Sequence, residues 1–230
     1  MSRSENGTLY VVSTPIGNLK DISFRALDVL GGVNCIVCED TRVTLKLLNR
    51  YTIKKPLLSY HSKSRDSVVK SIEKLILSGK DVALVTDSGT PGVSDPGSKL
   101  ISKLLHLGID IVPVPGPSAA HTALVASGFS FAEYTFFGFL SSKQTRRRRK
   151  LQELRDSKTV FIFYESPHRV LGFLNDAVEI FGDVNILVAK EMTKKYERYY
   201  RGSSSDVAEE LKSDGVRGEY TIVIDNRAKA

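Results

Sequence analysis

Val82-Ala83-Leu84-Val85-Thr86-Asp87-Ser88-Gly89-Thr90-Pro91-Gly92-Val93-Ser94-Asp95-Pro96-Gly97 runs from an apolar strand into a turn-forming loop and on to the start of a helix. A strand that ends in small residues brings bare backbone to the carboxyl edge of a sheet. Open α/β sheets bind their ligands at that edge. Pro91 and Pro96 stiffen the loop, and Gly89, Gly92 and Gly97 leave it sterically open, so it can hold a fixed shape against a flat ligand. An elaborate helix-start loop would read similarly. The acids Asp87 and Asp95 on either side of Gly-Thr-Pro favour a ligand site.

Outward from this loop, strand and helix patterns alternate along the chain. Strands are expected over Leu9–Ser13, Cys35–Cys38, Val82–Thr86, Ile109–Val114, Tyr134–Phe139, Thr159–Tyr164, Asn185–Lys190 and Tyr220–Asp225. Helices are expected over Ser23–Leu30, Arg42–Leu48, Ser64–Leu77, Pro96–His106, Pro117–Ser127, Gln144–Leu154, Pro167–Ile180 and Asp206–Lys212. Such alternation implies an α/β fold of parallel strands joined by right-handed crossovers. The sharpest break is Val112-Pro113-Val114-Pro115-Gly116-Pro117, which cannot continue a central strand ladder, although Pro117 can open a helix. It reads as the joint between two α/β domains, 1–116 with a largely parallel sheet and 117–230, with a cleft where they meet.

A length of 230 residues suits this division, and 41% hydrophobic with 26% charged residues is ordinary for a globular protein. No apolar run approaches the ~18 residues of a membrane helix. The polar start Met1–Gly7 lacks an apolar leader, so a cytoplasmic location is expected. A net charge of +7 favours a polyanionic partner. Cys35 and Cys38 have C-x-x-C spacing, but in a strand positions three apart face opposite ways, and no second Cys/His pair completes a metal site. Two buried, reduced thiols and no bound metal are expected.

Other strand ends carry further chemistry. Ser13-Thr14-Pro15-Ile16-Gly17-Asn18-Leu19 lacks the three glycines of a dinucleotide fingerprint, and Ser98-Lys99 reverses the Lys-Ser order of a phosphate loop. Glu39-Asp40-Thr41-Arg42 is readable as a helix cap or as an active-site edge, and the two are compatible. In Tyr164-Glu165-Ser166-Pro167-His168-Arg169, Ser166 is a candidate cap, and Tyr164 offers a flat face and a hydroxyl suited to adenine or ribose. Lys190–Tyr196 and Arg217–Tyr220 are charged strand ends, which are commonly solvated surface. Lys143 and the run Arg146-Arg147-Arg148-Arg149 sit at a helix start, where cations oppose the helix dipole. A solvated helix face is one reading. Contact with RNA phosphates is preferred, because an anionic partner would relieve that cost.

These motifs together resemble the tetrapyrrole-methylase superfamily, and within it the ribosomal RNA small-subunit methyltransferase I family. Thr14–Leu19, Glu39–Arg42, Asp87–Pro91 with Asp95–Gly97, Pro115–Ala120, Phe163–Ser166 and Gly218–Glu219 carry the resemblance, which runs from Leu9 to about Ile224. It implies two α/β domains of tetrapyrrole-methylase type with S-adenosylmethionine in the interdomain cleft, and a homodimer. It also implies 2′-O-methylation of a cytidine in the decoding region of 16S ribosomal RNA. By match to the motifs, Pro15, Asp87, Gly89, Thr90, Ser118, Ala119 and Tyr164 should touch the donor. Glu39, Asp40 and Lys190 are candidate bases or positioners, and Arg42, Lys143, Arg146–Arg149 and Arg169 are candidate RNA contacts, on free rRNA or the small ribosomal subunit. The rival functions are methylation of a porphyrin-like small molecule and a non-catalytic ribosome-binding module.

Overall fold

Leu9–Val12, Cys35–Cys38 and Val82–Leu84 are apolar at nearly every position, as strands must be when helices cover both faces of their sheet. A computed structural model describes residues 6–229. Met1–Glu5, most of the stretch read as lacking a leader, lies outside the described residues. The chain divides into two compact units, the first ending at Ser118 and the second starting at Ala119.

The first unit runs β1 (Leu9–Val12), α1 (Phe24–Gly32), β2 (Cys35–Cys38), α2 (Thr41–Arg50), β3 (Leu57–Ser59), α3 (Asp66–Leu77), β4 (Val82–Leu84), α4 (Ser98–His106) and β5 (Ile111–Val114). Its strands lie in the order β3-β2-β4-β1-β5, every pair parallel. Side-chain alternation splits the core. Val12, Ile36, Cys38 and Ala83 pack under α1 and α2, whereas Leu9, Val11, Val37, Val82 and Leu84 pack under α3 and α4. Pro113 is tolerated because β5 is an edge strand. Cys35 and Cys38 are free, and burial pushes both thiols up from their ordinary value.

The second unit runs α5 (Ala119–Ser127), β6 (Tyr134–Phe139), α6 (Gln144–Leu154), β7 (Val160–Glu165), α7 (Val170–Phe181), β8 (Val184–Lys190), β9 (Arg198–Ser203), α8 (Ser204–Asp214) and β10 (Tyr220–Lys229). Its sheet order is β6-β7-β10-β8-β9. Here the expectation of parallel strands needs correction. Only β6 and β7 are parallel, while β10 returns antiparallel between β7 and β8, and β9 is antiparallel to β8. The link Glu191–Glu197 is too short for a crossover and forms a hairpin. Phe161, Phe163 and Ile222 pack under α6, α7 and α8; Ile162, Leu187 and Val223 pack under α5.

The three helices expected to open on a proline all start two or three residues later. Gly97, at φ +149°, precedes α4, and α5 begins at Ala119. At Pro167 the chain first makes a turn in which the Ser166 carbonyl accepts the Arg169 and Val170 amides, so Ser166 is not the side-chain cap of α7.

Candidate active site

Because every strand of the first unit is parallel, the loops after β1, β2, β4 and β5 all leave from one edge. Hydrogen bonds lace them together. The Thr14 and Gly89 amides donate to each other's carbonyls at 2.8 and 3.1 Å, which closes a small antiparallel bridge between the loops after β1 and β4. The Thr14 hydroxyl donates to the Thr86 carbonyl at 3.0 Å, and the Ser13 and Thr90 hydroxyls meet at 2.8 Å. After β2, the Asp40 amide donates to Asp87 Oδ1 at 3.0 Å, and the Thr86 hydroxyl to Glu39 Oε2 at 3.3 Å. Gly116, after β5, passes so near Ser13 that a Cβ there would lie 2.9 Å from the Ser13 Cβ. Gly89 sits at φ +83°, a conformation that favours glycine.

The edge therefore gathers Pro15, Glu39, Asp40, Asp87, Gly89 and Thr90 from loops far apart in sequence, with Ser118 at the end of the same unit. Pro15 and Gly89 are buried, and the others partly so. Asp40 is also the cap of α2: Oδ1 accepts the Arg42 amide at 2.8 Å, and the Arg42 guanidinium grips both carboxylate oxygens. That guanidinium holds the carboxyl down at about 2. A carboxylate so stabilised is a poor proton acceptor. Glu39 has the Thr86 hydroxyl as a neutral partner and is the stronger candidate base.

The donor set suits S-adenosylmethionine. Carboxylates can receive its ammonium and ribose hydroxyls, and the side-chain-free backbone at Gly89 leaves room for a flat group. Ala119 and Tyr164 lie in the second unit, Tyr164 at the end of β7 and edge-on to Phe136 and Phe139. Lys190 ends β8 and donates to Asp214 Oδ2 at 3.2 Å and to the Gly215 carbonyl at 3.1 Å. Both bonds tie the Lys190 side chain to the end of α8.

The arginine run divides. Arg147 is buried and pairs with Asp176 of α7, Nη2 to Oδ2 at 2.6 Å and Nε to Oδ2 at 2.8 Å. It has no face toward a phosphate, which corrects its place among the RNA contacts. Arg148 joins the same carboxylate at 3.0 Å and Glu179 at 2.6 Å. Acids of the neighbouring helix thus supply the relief of helix-start charge that had pointed to an anionic partner. Arg149 is exposed beside Glu153, while Lys143 and Arg146 are exposed with no ion pair among the described residues. Arg169 turns inward: Nη2 meets buried Glu165 at 2.6 Å and Nε donates to Ser166 at 3.3 Å. Glu165, at the end of β7, and Asp176, within α7, carry structural roles as buried partners of arginines, which depend on contacts formed only on folding. Among the described residues no group of three or more His, Cys, Asp or Glu could hold a metal ion, and no helix is long and apolar enough to cross a membrane.

A family model for tetrapyrrole (corrin/porphyrin) methylases matches residues 8–208. Among solved structures, a cobalt precorrin-4 methyltransferase superposes with a TM-score of 0.71 at 19% identity, each chain covered to 97%. A uroporphyrin-III C-methyltransferase from Thermus thermophilus, solved with S-adenosyl homocysteine, gives 0.66 at 16% identity, covering 95% of this chain and 97% of that one. The family-model match over most of the chain defines a methyltransferase of the tetrapyrrole-methylase class. Nearer in sequence are the ribosomal RNA small subunit methyltransferases I of Bacillus subtilis, 43% identical over 97% of this chain and 76% of its own length, and of Thermotoga maritima, 43% identical over 96% and 99%. The chain belongs to the ribosomal RNA small subunit methyltransferase I family.

Proposed function

We propose that this enzyme transfers a methyl group from S-adenosylmethionine to small-subunit ribosomal RNA, at the ribose 2′-hydroxyl of a cytidine in the decoding region of 16S RNA. Near full-length similarity to relatives of that name carries the substrate. The carboxylate-bearing strand edge of the first unit supports the donor site. Pro15, Asp87, Gly89, Thr90 and Ser118 hold the donor. The two units, dividing after Ser118, correspond to the two domains expected as 1–116 and 117–230, with the boundary two residues later. The resemblance further supports a homodimer acting in the cytoplasm.

Bound there, the donor supplies an electrophilic methyl group. The protein's share is alignment and proton removal. Asp87 is fixed by the Asp40 amide and orients what lies against it. Holding reactants in line is the larger part of such catalysis. Glu39 accepts the proton of the attacking hydroxyl, a contribution of ~10²–10⁴-fold. Asp40 and Arg42 form a charged clamp that steadies the edge. A tritiated-donor assay on unmodified small subunits, naked 16S RNA and a porphyrinogen tests the reading. Label in RNA, lost in Glu39→Gln, is the expected result; label only in the porphyrinogen, or RNA binding without transfer, would overturn it.

A further inference from the structure

Two charged strand ends in the second unit play no part in the function above. The β8–β9 turn, residues 191–197, and the α8–β10 turn, residues 215–219, flank a cavity of about 720 Å³. That volume lies within the range of small-ligand sites, about 300–1,000 Å³. Tyr196 stands on its wall with 70% of its surface exposed, and Lys195 lies 5.3 Å from the centre of its ring.

The acids around the cavity are already engaged. Asp214 binds Lys190 at 3.2 Å and Arg198 at 2.5 Å, and receives the Tyr200 hydroxyl. Glu191 Oε1 accepts Lys194 Nζ and the Glu219 amide, each at 2.9 Å. Glu197 accepts the Thr193 amide at 2.5 Å. Lys195 and Arg217, both exposed, form no ion pair among the described residues, so the rim carries surplus positive charge. The frame is also stiff. Glu191 and Thr193 adopt left-handed backbone, at φ 51° and 65°, and a Cβ on Gly218 would strike the Glu191 side chain at 2.4 Å. An exposed tyrosine beside cations that no carboxylate neutralises suits a single-stranded nucleic acid. The base stacks on the ring, and the flanking phosphates meet the cations.

We propose that this pocket seats one unstacked nucleotide of single-stranded RNA, its base on Tyr196 and its backbone phosphates on Lys195 and Arg217. The proposal rests on the RNA reading above and adds to it a recognition site within the second unit. A duplex, whose bases are stacked inside, could reach the cations but not the ring.

The test uses the full-length protein, a fluorescently labelled short single-stranded RNA and a duplex of the same sequence, followed by anisotropy across a salt series. Tyr196→Ala should weaken single-strand binding about five- to 150-fold and leave duplex binding unchanged, whereas Tyr196→Phe keeps the stack and the affinity. Arg217→Gln should reduce the salt slope by about 0.7. Calorimetric donor affinity equal to wild type establishes that each variant is folded. Single-strand affinity of Tyr196→Ala within twofold of wild type, in a protein that still methylates RNA, would overturn the pocket alone. A wild type that neither binds nor methylates RNA would overturn the pocket and the RNA reading together.

Discussion

Replacing Asp176 by alanine is the sharpest test of how the arginine run is used. The Asp176 carboxylate is almost completely buried and receives four donors: Arg147 through Nε and Nη2, Arg148 at 3.0 Å and Gln144 at 3.1 Å. The Arg147 side chain is 6% exposed, so alanine at 176 strands a guanidinium in a place water barely reaches. Removing one partner of a buried pair costs about 3–5 kcal/mol. For a protein of this length each kcal/mol lowers the melting temperature by about 2–4 °C, which predicts a fall of about 6–20 °C for Asp176→Ala. Arg147→Met combined with Asp176→Leu removes both charges, fills the space, and should recover most of that loss. Differential scanning calorimetry with urea titration reads both variants. A melting point within about 2 °C of wild type for Asp176→Ala would refute the buried clamp. The same pair informs RNA binding. The double variant should keep the wild-type salt slope, because Arg147 meets no phosphate, whereas Arg146→Gln should lower it by about 1.

Further outcomes follow from the strand-edge site. Asp87→Ala should weaken S-adenosylmethionine binding about ten- to 150-fold by calorimetry without unfolding the chain, as expected for losing a charged hydrogen bond; unchanged affinity would remove Asp87 from the site. Asp40→Asn keeps a capping oxygen but loses the carboxylate. The folded carboxyl of Asp40 is held at about 2, below the unfolded value of about 3.9. Its stabilisation is therefore complete above pH ~4 and lost as pH falls through ~2, so the gap between wild type and Asp40→Asn should close over that interval in acid-unfolding curves. A gap of constant size would exclude the carboxylate as its source. Gly116→Ala places a Cβ 2.9 Å from that of Ser13 and should pry the loops after β1 and β5 apart, lowering donor affinity more than it lowers the unfolding temperature. Equal affinity would show that the loops yield without consequence.

The alternation of apolar runs with amphipathic segments was enough to locate eight strands and eight helices, because the apolar runs of strands and the helical period are local marks on the chain. It also placed Thr14–Gly17, Glu39–Arg42 and Thr86–Gly97 correctly at strand ends, since glycine, proline and small polar residues stop a ladder by their own backbone chemistry. β3 and β9 escaped notice: Leu57–Ser59 is very short, and Arg198-Tyr-Tyr-Arg-Gly-Ser has the charge of an edge strand that faces water on one side. Their pairing, like the return of β10 between β7 and β8, is a contest among strands distant in sequence, and no local pattern reports its winner. The same is true of individual charges. Four adjacent arginines look alike along the chain, yet the helical turn sends Arg147 toward Asp176, 29 positions away, and leaves Arg146 in water. Which residue types stand at a sheet's edge is a property of local backbone preference; which of them face one another, and which charges are left for a partner, is decided only when the helices pack.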